Sequence, residues 1–180
     1  SGSRHGTCSV SETVEQTPQE WEAQWWGACS NSFGEEAKQI TYAHRMGLVN
    51  EPLYGKWPDY DLRGGSVLDL GGGPVSMLLK TRNLGLGLVV DPCPYPAWVR
   101  ARYAAAKIQF DQIEAETCRP GGHFHECWIY NTLQHVVNPE TVVAVARRSA
   151  SLVRVFEWID FPPHLGHPHM LTEADLNTWF

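Results

Sequence analysis

Two stretches of this chain carry residue types whose spacing could do chemistry. Asp69-Leu70-Gly71-Gly72-Gly73 sits at the end of the apolar run Val67–Leu70. Glycines there allow a sharp turn and let a ligand lie against bare backbone, as at the first strand-to-helix crossing of a nucleotide-binding sheet. Asp91 closes the next apolar run, Gly87–Val90, about 20 residues on, where a carboxylate can accept hydrogen bonds from both ribose hydroxyls. Each has a plainer reading alone, turn chemistry for the glycines and a cap before Pro92 for the aspartate; together they point to one site. The second stretch, Phe156 to His169, holds Glu157, Asp160, His164, His167 and His169. Its prolines prevent a helical i,i+4 ligand pair, which argues against a metal centre although carboxylate and imidazole suit several ions. Glu157 or a histidine could instead accept a proton from a substrate near neutral pH, with a surface Pro/His loop as the bland alternative.

Positioning such groups takes strands and helices in alternation, and the chain carries one from Ser66 onward. Val67–Leu70, Gly87–Val90, Ile108–Ile113, Cys127–Tyr130 and Leu152–Trp158 read as strands. Helices are expected from the glycine turn to about Asn83, over the Ala- and Arg-rich residues 96–106, and after Asn138-Pro139-Glu140, which supplies an N-cap, a first-position proline and a first-turn acid. Thr172-Glu173-Ala174-Asp175 caps a last helix. This predicts βαβ units and an α/β fold, a three-layer sandwich with a mostly parallel sheet of about five strands and helices on both faces. Upstream, Trp21, Trp25 and Cys29 at helical spacing predict a short amphipathic helix ending near Gly27 to Ser30. Ser32-Phe33-Gly34-Glu35 fits a capping box for a second helix that stops at Gly47. Residues 50–65 read as a Gly/Pro loop, and residues 1–16 as a mobile tail. The expected organisation is that tail, a helical arm over 17–63 and one core over 64–180.

Composition narrows the partners. The chain has 180 residues, 20 acidic against 14 basic, a net charge of −6 and 43% hydrophobic residues, so a folded globular protein is expected. No basic cluster is longer than Arg147-Arg148, which disfavours nucleic acid. No apolar run approaches the roughly 18 residues of a membrane span, and no h-region marks a signal peptide; a cytoplasmic location is expected. Ser1-Gly2-Ser3 reads as an expression scar. Five cysteines, odd in number and without a C-x-x-C pair, predict free thiols. The eight tryptophans can wall a pocket as easily as fill a core.

Val67-Leu68-Asp69-Leu70-Gly71-Gly72-Gly73, then Val89-Val90-Asp91, then a carboxylate after the third strand, then Trp128-Ile129-Tyr130-Asn131-Thr132-Leu133-Gln134-His135-Val136 together resemble a class I (Rossmann-like) S-adenosylmethionine-dependent methyltransferase over about residues 64–180. The resemblance implies S-adenosyl-L-methionine as cofactor and S-adenosyl-L-homocysteine as product. It implies that Gly71, Gly72 and Gly73 hold the methionine end, with Asp69 structuring the loop, and that Asp91 binds the ribose. The acid near the adenine amine matches Glu114, with Asp111 and Glu116 as alternatives. Asn131 matches the group lining the cofactor's amino-acid portion, and His135 the histidine of an L-x-H that either acts in catalysis or packs the loop before Asn138.

The resemblance also puts the helical arm over the cofactor site, with Trp26 and Tyr42 as walls of the acceptor pocket; the alternative is that Trp25 and Tyr42 are core anchors packing the arm on the sheet. The Glu/Lys/Gln run of that arm reads as a solvated helix face, although Lys38 or Gln39 could reach a cofactor carboxylate. His164 and His167 would belong to the substrate loop, and Glu157 joins His135 as a candidate proton acceptor. No Asn/Asp-Pro-Pro-Tyr/Phe occurs at the strand-four exit, so adenine and glutamine side chains are poor acceptors and a small molecule is expected. The family's sixth and seventh strands are absent: a minimal variant, missing strands, or a homo-oligomer or other partner at the sheet edge would each account for this. A nicotinamide-dependent enzyme is the rival, but the third glycine of G-x-G-x-x-G is replaced by Ser76. A related domain that binds the cofactor without transferring a methyl group is the other alternative.

Overall fold

The computed structural model describes residues 16–49 and 60–180; the expected tail, except for Gln16, and the 50–59 part of the expected loop lie outside the described residues. The sheet consists of β1 (Ser66–Leu70), β2 (Leu86–Val90), β3 (Ile108–Asp111), β4 (Phe124–Tyr130) and β5 (Ala150–Phe156). All pairings are parallel, in the order β3-β2-β1-β4-β5. The order reverses between β1 and β4, and such a switch opens a crevice at the carboxyl ends of the strands. Leu70 pairs with Val90 on one side and Ile129 on the other, so the chain leaves the sheet at Gly71, Asp91 and Asn131 around one spot.

Both faces of the sheet are covered, which is why its strands read as nearly continuous apolar runs. Val67, Val89, Trp128 and Tyr130 pack on one face with Tyr42 and Ala43 of α2 (Ser32–Arg45) and Val99 and Tyr103 of α3 (Ala97–Ala105). Leu68, Leu70, Val90, Cys127 and Ile129 pack on the other with Val142, Val145 and Ala146 of α4 (Pro139–Ser149), and Leu171 precedes the short α5 (Glu173–Trp179) there. Asn138 caps α4 through Thr141 N–H, and Thr172 and Asp175 form the expected capping box on α5. Cys29, Cys93, Cys118 and Cys127 are buried free thiols.

Three local expectations fail for identifiable reasons. The helix expected after the glycine turn is replaced by two 3₁₀ turns, Gly73–Val75 and Met77–Lys80, followed by Thr81–Arg82 pairing in parallel with Tyr60–Asp61. Ser76 is extended between the turns, and Tyr103 Oη and Tyr130 Oη accept the N–H groups of Ser76 and Met77. Those side-chain acceptors compete successfully with the helical ladder. The Ser32–Glu35 box does not form either: Asn31 is the N-cap, and Ser32 Oγ donates to Cys29 O instead. Lastly, α1 (Pro18–Trp26), capped by Thr17 and Glu20, buries no residue, and Cys29 lies beyond its end at Gly27. It is less an amphipathic core helix than a strap.

Candidate functional site

The glycine turn is built by excluded volume as much as by conformation. Gly71 has φ 76°, and a Cβ on it would overlap the side chain of Thr132. Gly73 also has a positive φ, 64°, but its Cβ would meet nothing nearer than Trp26 Cζ2 at 3.7 Å and Tyr95 Oη at 3.8 Å. The first glycine is demanded by neighbouring protein; at the last a side chain would meet only ordinary van der Waals contacts. Gly72 backs onto the carboxylate of Asp69, which is fully buried, accepts from Ser76 Oγ and Tyr130 Oη through Oδ2 and leaves Oδ1 without a partner among the described residues. Asp69 thus ties the turn to β4 from beneath.

Burial pushes the Asp69 carboxyl up to about 7, against the lowering effect of its two hydroxyl donors. A carboxyl raised in the folded state contributes stability in full below its ordinary 3.8 and loses it as the pH climbs through about 7. Asp69→Asn, which can keep its amide oxygen on Ser76 and Tyr130, is therefore expected to flatten the decline in stability over that interval and to match or exceed the parent at pH 8. Urea unfolding at pH 5 and pH 8 measures this; a steeper decline in the variant would contradict it.

Asp91, 7% exposed, closes the turn from the β2 side. Its Oδ2 accepts from Gly73 N–H at 3.0 Å, and its Oδ1 from Cys93 N–H at 3.0 Å and Tyr95 Oη at 2.9 Å. Burial raises its pKa while these donors oppose the rise. Oδ2, with one protein donor, retains accepting capacity. Of the three acids near β3, Glu114 and Glu116 line the cavity and Asp111 does not. Glu116 Oε1 is engaged by Val137 N–H and Asn138 N–H, holding the approach to α4.

At the β4 exit, Asn131 adopts φ 52°, and its Oδ1 accepts from Gln134 Nε2. Glu157 does not line the cavity: its carboxylate accepts from Thr132 N–H and Leu133 N–H, with all three distances between 2.9 and 3.1 Å. Burial raises its pKa to about 7 against those amides. The proton-acceptor reading of Glu157 is thereby corrected to that of a turn anchor, because its oxygens are committed to the loop that presents Asn131 and His135. His135 does line the cavity, with Nδ1 at 2.7 Å from Gly166 O and 2.8 Å from Glu22 Oε1.

The cavity, about 560 Å³, runs from Gly71, Gly73 and Asp91 past Asn131 and His135 to a wall of Trp21, Trp25, Trp158, Phe161, His164 and His167. That volume falls in the range of small-molecule sites. Trp26 lines it beside Gly73 and packs edge-on to Tyr95 with ring centroids 6.2 Å apart. Tyr42 is corrected from a pocket wall to a core anchor: it is fully buried and stacks on Phe156 at 4.7 Å, because the apolar face of α2 turns it onto the sheet. Lys38 reaches the lining, paired with Glu35 at 3.1 Å, whereas Gln39 is buried and donates to Val75 O. Sequence reasoning passed over Tyr95, Thr132 and Glu22. An aromatic in the Pro-rich turn after Asp91 was a usable hint for Tyr95; nothing local marked Glu22. Among the described residues no group of three His, Cys, Asp or Glu is placed to hold a metal ion.

No protein-family model matches the sequence, and no curated protein matches it. Solved structures do resemble it. The [4+2]-cyclase SpnF superposes with a TM-score of 0.60 at 15% identity, covering 92% of this chain and 72% of that one. Magnesium protoporphyrin IX methyltransferase from Synechocystis PCC 6803, solved with bound S-adenosylmethionine, gives 0.57 at 13% identity, covering 92% and 85%. A methyltransferase in complex with the Haloferax volcanii Trm112 activator gives 0.51 at 19% identity, covering 72% and 55%, so the chain spans little more than half the length of that relative.

Proposed function

From its class I S-adenosylmethionine-dependent methyltransferase fold, we propose that this chain binds S-adenosyl-L-methionine and transfers its methyl group to a small-molecule acceptor. The observation that carries the reading is the single cavity joining the glycine turn and Asp91 to an aromatic chamber of a size for a second ligand. The residues present fit the cofactor. The space over Gly73 is where an added Cβ would intrude, Asp91 Oδ2 has accepting capacity, and Glu114 lines the same cavity. Trp26 and Tyr95 offer the ring faces that attract a sulfonium.

Bound there, the cofactor supplies an electrophilic methyl group for in-line SN2 displacement. The protein's part is alignment and exclusion of water. The Gly71–Gly73 turn and Asn131 hold the amino-acid end, Asp91 the ribose and Glu114 the adenine amine. The α1 strap, with Trp21, Trp25 and Trp26, covers the acceptor side, so that both reactants are held in an attack geometry. His135 is the ionisable group of the β4 exit that faces this chamber. A cytoplasmic location, a small-molecule partner and a further chain at the free edge of β5 complete the proposal.

A second reading, binding without methyl transfer, is favoured by one observation: the likeness covering most of this chain at a TM-score of 0.60 is to a protein named as a cyclase. The nicotinamide rival loses support because Ser76 is buried under the turn on Asp69 and caps only a short 3₁₀ turn, with no α-helix starting there. Calorimetric titration with S-adenosylmethionine, S-adenosylhomocysteine and NADH tests the assignment. Micromolar binding of the first two and none of NADH is expected; binding of NADH alone would overturn it. Label transfer from methyl-labelled cofactor into a metabolite extract then separates transfer from mere binding.

A further inference from the structure

A helix that buries none of its residues fully supplies a largely shielded carboxylate to the site. α1 buries no residue of its own, yet Glu22 on it is only 15% exposed at its side chain and places Oε1 2.8 Å from His135 Nδ1. That oxygen has no ordinary hydrogen bond among the described residues. Nδ1 therefore faces two acceptors, the carboxylate and Gly166 O at 2.7 Å, and no donor. The ring nitrogen between two acceptors must carry the proton, so in the neutral imidazole the lone pair is on Nε2. Gln134 Nε2, at 3.4 Å, is the group nearest to it in hydrogen-bond terms.

His167, the imidazole packed against the ring of His135, does not compete for a proton. His167 stands edge-on to His135 with centroids 4.3 Å apart, and burial, followed by its two neighbouring imidazoles and Lys38, pushes it down to about 4. For His135, burial acts downward, but Glu22 through contact and charge, Gly166 O, and Glu157 more remotely outweigh it and leave the pKa raised. The same strap contributes Trp21 and Trp25, stacked at 5.8 Å and nearly parallel, opposite Phe161 and Trp158 in the cavity wall. Gly166 lies so close to Trp21 that an added Cβ would overlap its ring, so α1 is seated on the very turn whose carbonyl orients His135.

We propose that Glu22 is a positioning residue that arms His135 as proton acceptor for a ring-borne hydroxyl, and that it does so only while α1 lies across the cavity. The inference rests on the methyltransferase reading and narrows its acceptor. A carboxylate or an acidic thiol is already ionised or nearly so near neutrality, whereas a phenolic hydroxyl, with a pKa of about 10, is not. The hydroxyl gives its proton to His135 Nε2 and an oxygen lone pair to the methyl carbon. The carbon–sulfur bond of the cofactor breaks with its electron pair left on sulfur, giving the thioether, the methyl ether and an imidazolium balanced by Glu22. The imidazolium then returns its proton to solvent. Coupling the carboxylate to the strap makes the base strongest when water is excluded.

Imidazole ¹H–¹⁵N spectra of the full chain, titrated from pH 5 to 9, test the pair without any acceptor. The His135 midpoint is expected to fall in Glu22→Gln and to return toward the parent in Glu22→Asp; an unmoved midpoint in Glu22→Gln overturns the pairing. Since α1 buries none of its residues fully and Glu22 is not part of the core against which Trp26 packs, these variants are expected to fold. With labelled cofactor, transfer to 2-naphthol should drop by about 10²–10⁴ in His135→Gln. In Glu22→Gln the acid limb of its pH profile should move down with the spectroscopic midpoint, while transfer to 2-naphthalenethiol changes less than tenfold. Equal losses on both probes, or no transfer to 2-naphthol by a parent that binds cofactor, overturn the acceptor class. Calorimetry with S-adenosylmethionine distinguishes the failures: binding with an unmoved His135 midpoint sinks the pair alone, whereas no binding sinks the methyltransferase reading whatever the midpoint does.

Discussion

Asp91→Ala is expected to weaken S-adenosylmethionine binding at least 100-fold. Two hydrogen bonds from ribose hydroxyls to a buried carboxylate contribute roughly 1.5–3 kcal/mol each, and each 1.4 kcal/mol is about a factor of ten. The structure adds a second effect. Asp91 also holds Gly73 N–H, Cys93 N–H and Tyr95 Oη, so its removal leaves three donors to find new partners at about 1–3 kcal/mol for each that stays buried and unsatisfied. Stability and affinity should fall together. Asp91→Asn separates them: an amide oxygen can keep some of the turn's donors while the charge is lost, so its affinity should drop more, relative to stability, than that of the alanine variant. Calorimetry paired with urea unfolding reads both. Affinity within threefold of the parent in Asp91→Ala would remove Asp91 from the binding site.

The second large effect is a contrast between two glycines. Gly71→Ala is expected to destabilise the fold by roughly 2–5 kcal/mol, the sum of left-handed strain of about 1–2 kcal/mol and an overpacking cost of about 1–3 kcal/mol where the new methyl overlaps Thr132. Thr132 cannot easily yield: its N–H is held by Glu157 and its hydroxyl donates toward Leu70 O and Tyr130 O. Gly73→Ala should cost only the conformational part, since its Cβ would make no more than ordinary van der Waals contact with Trp26 and Tyr95. The proposed cofactor site lies over Gly73, so Gly73→Ala should lose affinity out of proportion to its small loss of stability. Denaturant midpoints and calorimetric titrations of the two variants test this. Similar stabilities for the two variants would mean that the Thr132 contact is not a constraint, and undiminished affinity in Gly73→Ala would place the ligand elsewhere.

How much of this was legible from residues alone depends on the range of the interaction. The five strands were readable because a parallel sheet buried on both faces demands consecutive apolar residues, and Val67–Leu70 and Gly87–Val90 supply them. Asp69, the glycines and Asp91 were readable because they interrupt such runs at fixed offsets. The cap on α4 and the box on α5 involve contacts no more than three residues apart. The strand order β3-β2-β1-β4-β5 was not derivable from periodicity and is known only from the structure.

What only the tertiary structure decided are the contacts made across large sequence separations. Whether residues 73–83 form a helix depended on Tyr103 and Tyr130 accepting amides from across the fold, a competition invisible to local propensity. Glu157 and Tyr42 looked like site residues because acids and aromatics suit sites; the structure turns one onto the amides of Thr132 and Leu133 and the other onto Phe156. Nothing local marked Glu22, and 112 residues of intervening chain had to fold before it met His135. The amino-acid sequence by itself determined the sheet, its glycine turn and the acid beside it, because burial and backbone conformation leave a local imprint. Which side chains face the cavity was decided by packing, because a carboxylate or a ring goes where its long-range partners are.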